Sequence, residues 1–150
     1  MADQKSDQYI VFMVAGTTYA LPSHQIAHVE MVERVTRVPN APPFVDGVVF
    51  SRGQVVPAVN LRVRFGFDRV EHDLRTRLLV VQAGGRSVGL LADSCREFLS
   101  IPAGAIQPPP EGLTGIGARY IVGIATIGDR LVVVLDLHAL LDSAEPILAA

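Results

Sequence analysis

The chain repeats itself. At a fixed offset of 76 residues Phe44 falls on Tyr120, Val45 on Ile121, Gly47 on Gly123 and Val48 on Ile124. Continuing without a gap, Val55 meets Leu131, Val56 meets Val132, Val59 meets Leu135, Asn60 meets Asp136 and Leu61 meets Leu137. Nearer the front of each half, an offset of 69 pairs Leu21 with Leu90, Ile26 with Cys95 and Val29 with Phe98. Two apolar alternations fall into register easily by chance. An aromatic before each strand, a matched glycine inside it and an Asx-Leu after it do not, so the chain uses one supersecondary unit twice.

Each unit reads as about five short strands separated by turns. Residues 9–14 run apolar into Ala15-Gly16-Thr17-Thr18, and Tyr19-Ala20-Leu21 resumes as the return strand of a hairpin. Ile26–Val29 and Val35–Val38 alternate, and Pro39-Asn40-Ala41-Pro42-Pro43 forces a loop. Val45–Phe50, a turn at Ser51-Arg52-Gly53 and Gln54–Val59 form a second hairpin, with a helical turn at Leu61–Phe65 closed by Gly66. After the charged stretch 68–77 the plan restarts: Leu78–Gln82, Gly84-Gly85, Ser87–Leu91, then Ser94–Ile101, the Gln107–Pro110 loop, and the hairpin Ile121–Ile127, Gly128-Asp129, Arg130–Leu135. Leu137, Leu140 and Leu141 have helical spacing. With no long helical period between the strands, the expectation is all-β: two small antiparallel barrels, one over about 17–76 and one over about 77–136, with some strand exchange at the termini and a C-terminal helix at 137–143. A barrel that small buries little alone, so the two should share a core within one domain spanning 1–150.

Composition narrows the function classes. Hydrophobic residues make up 49% and charged residues only 19%, which suits a folded chain. A net charge of −2 offers no basic field for nucleic acid or anionic lipid. No apolar run approaches the ~18 residues of a membrane span, and Met1–Asp7 is too polar for a secretion signal. The lone Cys95 permits no internal disulfide, so a reducing cytoplasm is the expected compartment. The polar start and the Ala149-Ala150 end suit a stand-alone chain.

No catalytic motif is present: no G-x-S-x-G elbow, no phosphate-cradling loop, no H-E-x-x-H. Gly115 and Gly117 resemble half a dinucleotide fingerprint but lie between a proline loop and a strand, so no cofactor is expected. His24 and His28, with Glu30 nearby, have a spacing that binds zinc on a helix; on a turn entering a strand it converges less, and a third ligand is missing, so they read as rim residues and no metal is expected. Cys95 alternates with apolar neighbours and reads as a structural thiol. Aromatic residues, at 6%, are too few for a base-stacking platform.

The hairpin Gly47-Val48-Val49-Phe50-Ser51-Arg52-Gly53-Gln54-Val55-Val56-Pro57-Ala58-Val59-Asn60-Leu61-Arg62 resembles the G-V-x-N-L-R-G-x-V-x-P-V-x-D-L-R signature of the CheW-like chemotaxis coupling proteins. The likeness extends through Phe12, Tyr19, the Arg37–Asn40 run, Val88–Asp93, Ile106–Pro109 and Asp129–Asp136, covering residues 9–142. It implies a fold of two SH3-like five-stranded barrels on a shared core. It also implies a non-enzymatic adaptor that bridges the cytoplasmic tip of a methyl-accepting chemoreceptor and the regulatory domain of the chemotaxis histidine kinase. By the same resemblance the receptor tip would lie in the groove between barrels, against Ile26, Arg52 and Leu78, and the kinase would meet the apolar barrel ends through residues it does not assign. Gly47, Gly53, Pro57 and Gly123 would be structural positions at turns and strand crossings.

Arg52 supports its role on physical grounds, since a long side chain in a tight turn projects from the barrel and its guanidinium can fork onto a carboxylate or a helix-end carbonyl. The chain departs from the family pattern at Phe50-Ser51 for Asn-Leu, at Asn60 for Asp (Asp136 keeps the acid), and at His28 for an acidic residue (Glu97 keeps it). These departures leave open a flagellar pathway, an accessory chemosensory pathway (motility by other means or second-messenger control), or a docking module related to larger signalling proteins. A metal-binding enzyme centred on His24 and His28 stands as the reading from another class.

Overall fold

The computed structural model describes residues 8–112 and 116–142. Its elements are β1 Gln8–Val14, β2 Thr17–Pro22, β3 Ile26–Met31, β4 Val45–Ser51, β5 Gln54–Asn60, α1 Leu61–Arg64, β6 Arg77–Ala83, β7 Arg86–Ala92, β8 Ser94–Ser100, β9 Ile106–Gln107, β10 Ile121–Ile127, β11 Arg130–Leu135 and α2 Leu137–Asp142. Residue 143 of the expected helix and Gly115 lie outside the described residues. Three hairpins turn on residue pairs with both φ angles positive: Ala15-Gly16 (50° and 82°), Arg52-Gly53 (47° and 83°) and Gly84-Gly85 (60° and 77°). That twist matches the strands on either side. The alternation at 35–38 makes no full strand; it yields a single bridge, Thr36 to Val48.

The strands form two sheets, in the orders β8-β1-β2-β11-β10-β9 and β3-β6-β7-β5-β4. Under the repeat β1 corresponds to β6, β2 to β7, β3 to β8, β4 to β10 and β5 to β11, which turns the order β3-β6-β7-β5-β4 into β8-β1-β2-β11-β10. The sheets therefore divide the chain differently from the expected boundary at 76/77. Each half donates its first hairpin to the other half's sheet, so β6 and β7 complete the sheet of β3–β5 while β1 and β2 sit with β8–β11. The expected antiparallel hairpins all form, and the swap adds two parallel joints to them. Where a donated hairpin meets its host the pairing is parallel, β5 with β7 and β11 with β2, because those strands are not joined by a tight turn. Neither barrel is closed by backbone pairing.

The repeat persists to single bulges. Ala27 in β3 and Arg96 in β8, one offset of 69 apart, are each an extra residue against their partner strand. Asp46 in β4 and Val122 in β10, 76 apart, are likewise extra. Beside those bulges Gly47 and Gly123 admit a crossing segment. A Cβ on Gly47, whose φ is 147°, would collide with the Thr36 carbonyl, and one on Gly123 would lie 2.6 Å from the Gln107 oxygen. Pro57 stands opposite Val48 in β5, one residue before the pairing with β7 begins.

Burial follows the alternation. One face of each sheet feeds a shared core that includes Phe12, Tyr19, Leu21, Leu61, Leu79, Leu90, Tyr120 and Leu140. The opposite faces curl round smaller cores, Val11, Ala20, Ile101, Val132 and Val134 in one sheet and Val49, Val56, Ala58, Leu78, Val80 and Leu91 in the other. The shared core is what makes two small sheets one domain.

Candidate partner-binding groove

The strands β3 and β8 are repeat mates and each is the edge of its sheet. They face one another across a groove of about 360 Å³ lined by Ile10, Ser23, Ile26, Ala27, His28, Val29, Cys95, Arg96, Glu97 and Phe98. Both bulges open onto it, and a bulge re-aims the side chains that follow. The floor is apolar and the rim carries His28, Arg96 and Glu97. Phe98 is 70% exposed, a large ring held at the edge with no cover from this chain.

Of the three residues singled out by resemblance, Ile26 lies in this groove and is 8% exposed. Arg52 is exposed at the tip of the β4–β5 hairpin, and no ion pair to it is found among the described residues. Leu78 is 1% exposed and packs inside the small core of the β3-β6-β7-β5-β4 sheet, against Gly89; it pairs in register with Glu30 of β3 and does not line the groove.

The Arg52 turn is tied to the groove by polar side chains. Although β3 and β4 are opposite edges of one sheet, the Ser51 hydroxyl donates to Glu30 Oε2 at 2.6 Å. His28 Nε2 lies 2.7 Å from the same oxygen and 3.1 Å from Ser51 Oγ. Ser51 is 3% exposed. In the sheet that contains β8 a looser link is made by other residues: Glu97 of β8 lies 3.8 Å from Arg130, the first residue of β11. The sequence pairing of His24 with His28 does not survive folding: His24 is exposed in a 3-10 turn at Ser23–Gln25, and among the described residues no cluster of His, Cys, Asp or Glu has metal-binding geometry. Sequence reasoning missed the Ser51–Glu30 bond. The available signal was a serine occupying an inward position after Val49 in an alternating strand.

Cys95 is partly buried and unpaired by disulfide. Desolvation pushes its thiol above the usual range, with Arg77 pulling weakly the other way, so it does not resemble an activated nucleophile. A larger cleft of about 950 Å³ runs between the 35–46 loop and residues 69–72. It is spanned by Arg69, which donates to Asp46 at 2.6 Å and to the Pro43 carbonyl at 2.8 Å. Arg69 thereby ties the inter-half linker to the β4 edge.

The groove is thus built twice over from the repeat, and known proteins share its frame. The family model described as the CheW-like domain matches residues 8–145. The chemotaxis protein CheW of Klebsiella aerogenes is 31% identical over 138 residues, 92% of this chain and 83% of that protein. The CheW of Helicobacter pylori is 34% identical, covering 89% of this chain and 81% of that one. The protein FrzA of Myxococcus xanthus is 28% identical over 91% of this chain and 86% of its own. Among solved structures, the scaffolding protein TtCheW of Thermoanaerobacter tengcongensis superposes with a TM-score of 0.83 at 28% identity, over 91% of this chain and 93% of that chain. A duplicated fold with exchanged hairpins, matched along nearly its whole length by such proteins, places the chain in the CheW-like domain family.

Proposed function

We propose that this protein is a chemosensory coupling adaptor that holds the cytoplasmic tip of a methyl-accepting chemoreceptor in the β3/β8 groove and a chemotaxis histidine kinase, through its regulatory domain, on the outer face of the β4–β5 hairpin. The observation that carries the first half is the groove itself, an apolar trough between two edge strands with the Arg52 turn tethered to one of its walls. A helical hairpin tip offers carboxylates and helix-end carbonyls, and a guanidinium on a short tether meets either with paired donors. Ile26 and Phe98 supply the apolar contact, and Leu78 supports the β3 wall from the neighbouring strand.

The second half rests on a cross-strand pair. Phe50 and Val55 stand directly opposite each other and are 74% and 65% exposed on an edge hairpin. Such a patch costs solubility unless a partner covers it. Each contact can be modest, since an array of receptors and kinases joined by many couplers gains through effective concentration. The relatives named CheW favour a chemotaxis pathway, and the likeness to FrzA keeps a pathway of another name in view. A cytoplasmic site of action fits this role, and among the described residues no helix is long and apolar enough to cross a membrane.

Two substitutions test the assignment. Arg52→Ala is expected to weaken binding of a soluble receptor-tip fragment by about 1–3 kcal/mol while the melting temperature holds, the size of a charged hot spot. Phe50→Ser is expected to weaken capture of the kinase regulatory domain and leave receptor binding intact. If R52A binds the receptor fragment as tightly as the wild type, the groove assignment fails.

A further inference from the structure

We infer that Glu30, Ser51 and His28 form a positioning latch that sets the Arg52 turn against the groove, and that receptor affinity depends on this latch through Arg52. The inference rests on the reading of Arg52 as a receptor-binding residue. Three observations carry it. Beyond the Thr36–Val48 bridge no backbone pairing joins the edges of the β3-β6-β7-β5-β4 sheet among the described residues, so the hairpin tip bearing Arg52 is joined to β3 by side chains: Ser51 to Glu30 at 2.6 Å, His28 to Glu30 at 2.7 Å and His28 to Ser51 at 3.1 Å. Ser51 is adjacent to Arg52 and 3% exposed, so its hydroxyl is shielded from competing water. Third, the other half also ties its groove strand to its far hairpin, by a different pair of residues: Glu97, the repeat mate of His28, lies 3.8 Å from Arg130, the mate of Gln54.

A carboxylate accepting from a shielded hydroxyl makes a short, charge-assisted bond. Such a bond confines the turn, so less freedom is lost when the guanidinium docks. Without it the tip can swing away from β3, and Arg52 must be ordered at the moment of binding.

A double-mutant cycle on the full chain tests the inference, read as the dissociation constant for a soluble receptor-tip fragment. Ser51→Ala and Glu30→Gln should each weaken binding about three- to tenfold, the net worth of an ordinary hydrogen bond, because the latch acts on the receptor only through Arg52. Ser51→Thr, which keeps the hydroxyl, should restore most of it. In the Arg52→Ala background S51A should cost nothing further, and amide exchange at Arg52 and Gly53 should quicken in S51A without any receptor present. An equal loss from S51A with and without Arg52, or no loss at all, overturns the latch while leaving the groove reading standing. A harmless R52A overturns the groove reading and the latch with it. Should S51A fold poorly, E30Q carries the same cycle, since it keeps the shape and removes the charge.

Discussion

Gly47 and Gly53 both have positive φ, at 147° and 83°, yet their surroundings differ. A Cβ on Gly53 meets nothing within 4 Å, whereas on Gly47 it meets the Thr36 carbonyl that bridges to Val48. Gly53→Ala should therefore cost only the strain of the turn, about 1 kcal/mol. Gly47→Ala must also push the crossing segment away, and about 3 kcal/mol is expected. Urea denaturation midpoints of the two variants measure the difference, and equal losses would contradict it. The glycines were plain in the sequence as matched positions. What they admit was not, because the crossing carbonyl lies eleven residues away on a loop.

At the scale of elements, α1 shows why this chain has Asn60 where the family signature has an acid. The Asn60 side chain accepts from the Val63 amide and so caps the helix, while its Nδ2 donates to Asp46 Oδ2 at 2.9 Å. Asp46 is the bulged residue of β4 and also receives Arg69, with His72 3.4 Å away. Asn60→Asp keeps the cap but sets two carboxylates side by side and removes a donor. A loss of about 1–2 kcal/mol is expected near neutral pH. Like charge raises the pKa of the pair, so the penalty exists where both are ionised and shrinks as the pH falls and one takes a proton. Urea unfolding at pH 7 and about pH 4 should show the gap to the wild type narrowing; a constant gap would mean that the carboxylates do not interact.

At the scale of the molecule, the exchanged hairpins make the halves interdependent. Among the described residues β3 pairs only with the strand β6, and β8 only with β1. A fragment of residues 8–76 or 77–142 thus lacks the neighbours its edge strands require. Neither should show cooperative thermal unfolding by circular dichroism, whereas the intact chain should unfold in one transition. A fragment that melts cooperatively by itself would refute the interdependence. Arg64 reinforces the joint. It is 7% exposed, with its guanidinium 4.3 Å from the Phe44 ring centre and 5.1 Å from that of Tyr120, and its Nε donates to the Leu140 carbonyl. Phe44 and Tyr120 are the two aromatics that the repeat aligns, so one arginine joins both copies.

The residue pattern alone determined the duplication, nearly every strand and turn, the shared core and the absence of catalytic motifs, because period-two burial and left-handed turns are local demands written in apolar spacing and glycine. Only the tertiary structure decided which hairpin sits in which sheet. Alternation says that a strand needs a neighbour and is silent on whose, and two similar halves can exchange equivalent hairpins while burying the same surface. For that reason Ile26 and Leu78 read alike along the chain but differ in space, one in the groove and one in the separate small core of its own sheet. For the same reason the Ser51–Glu30 bond, 21 residues apart in sequence, became visible only once the sheet had curled to bring its edges together.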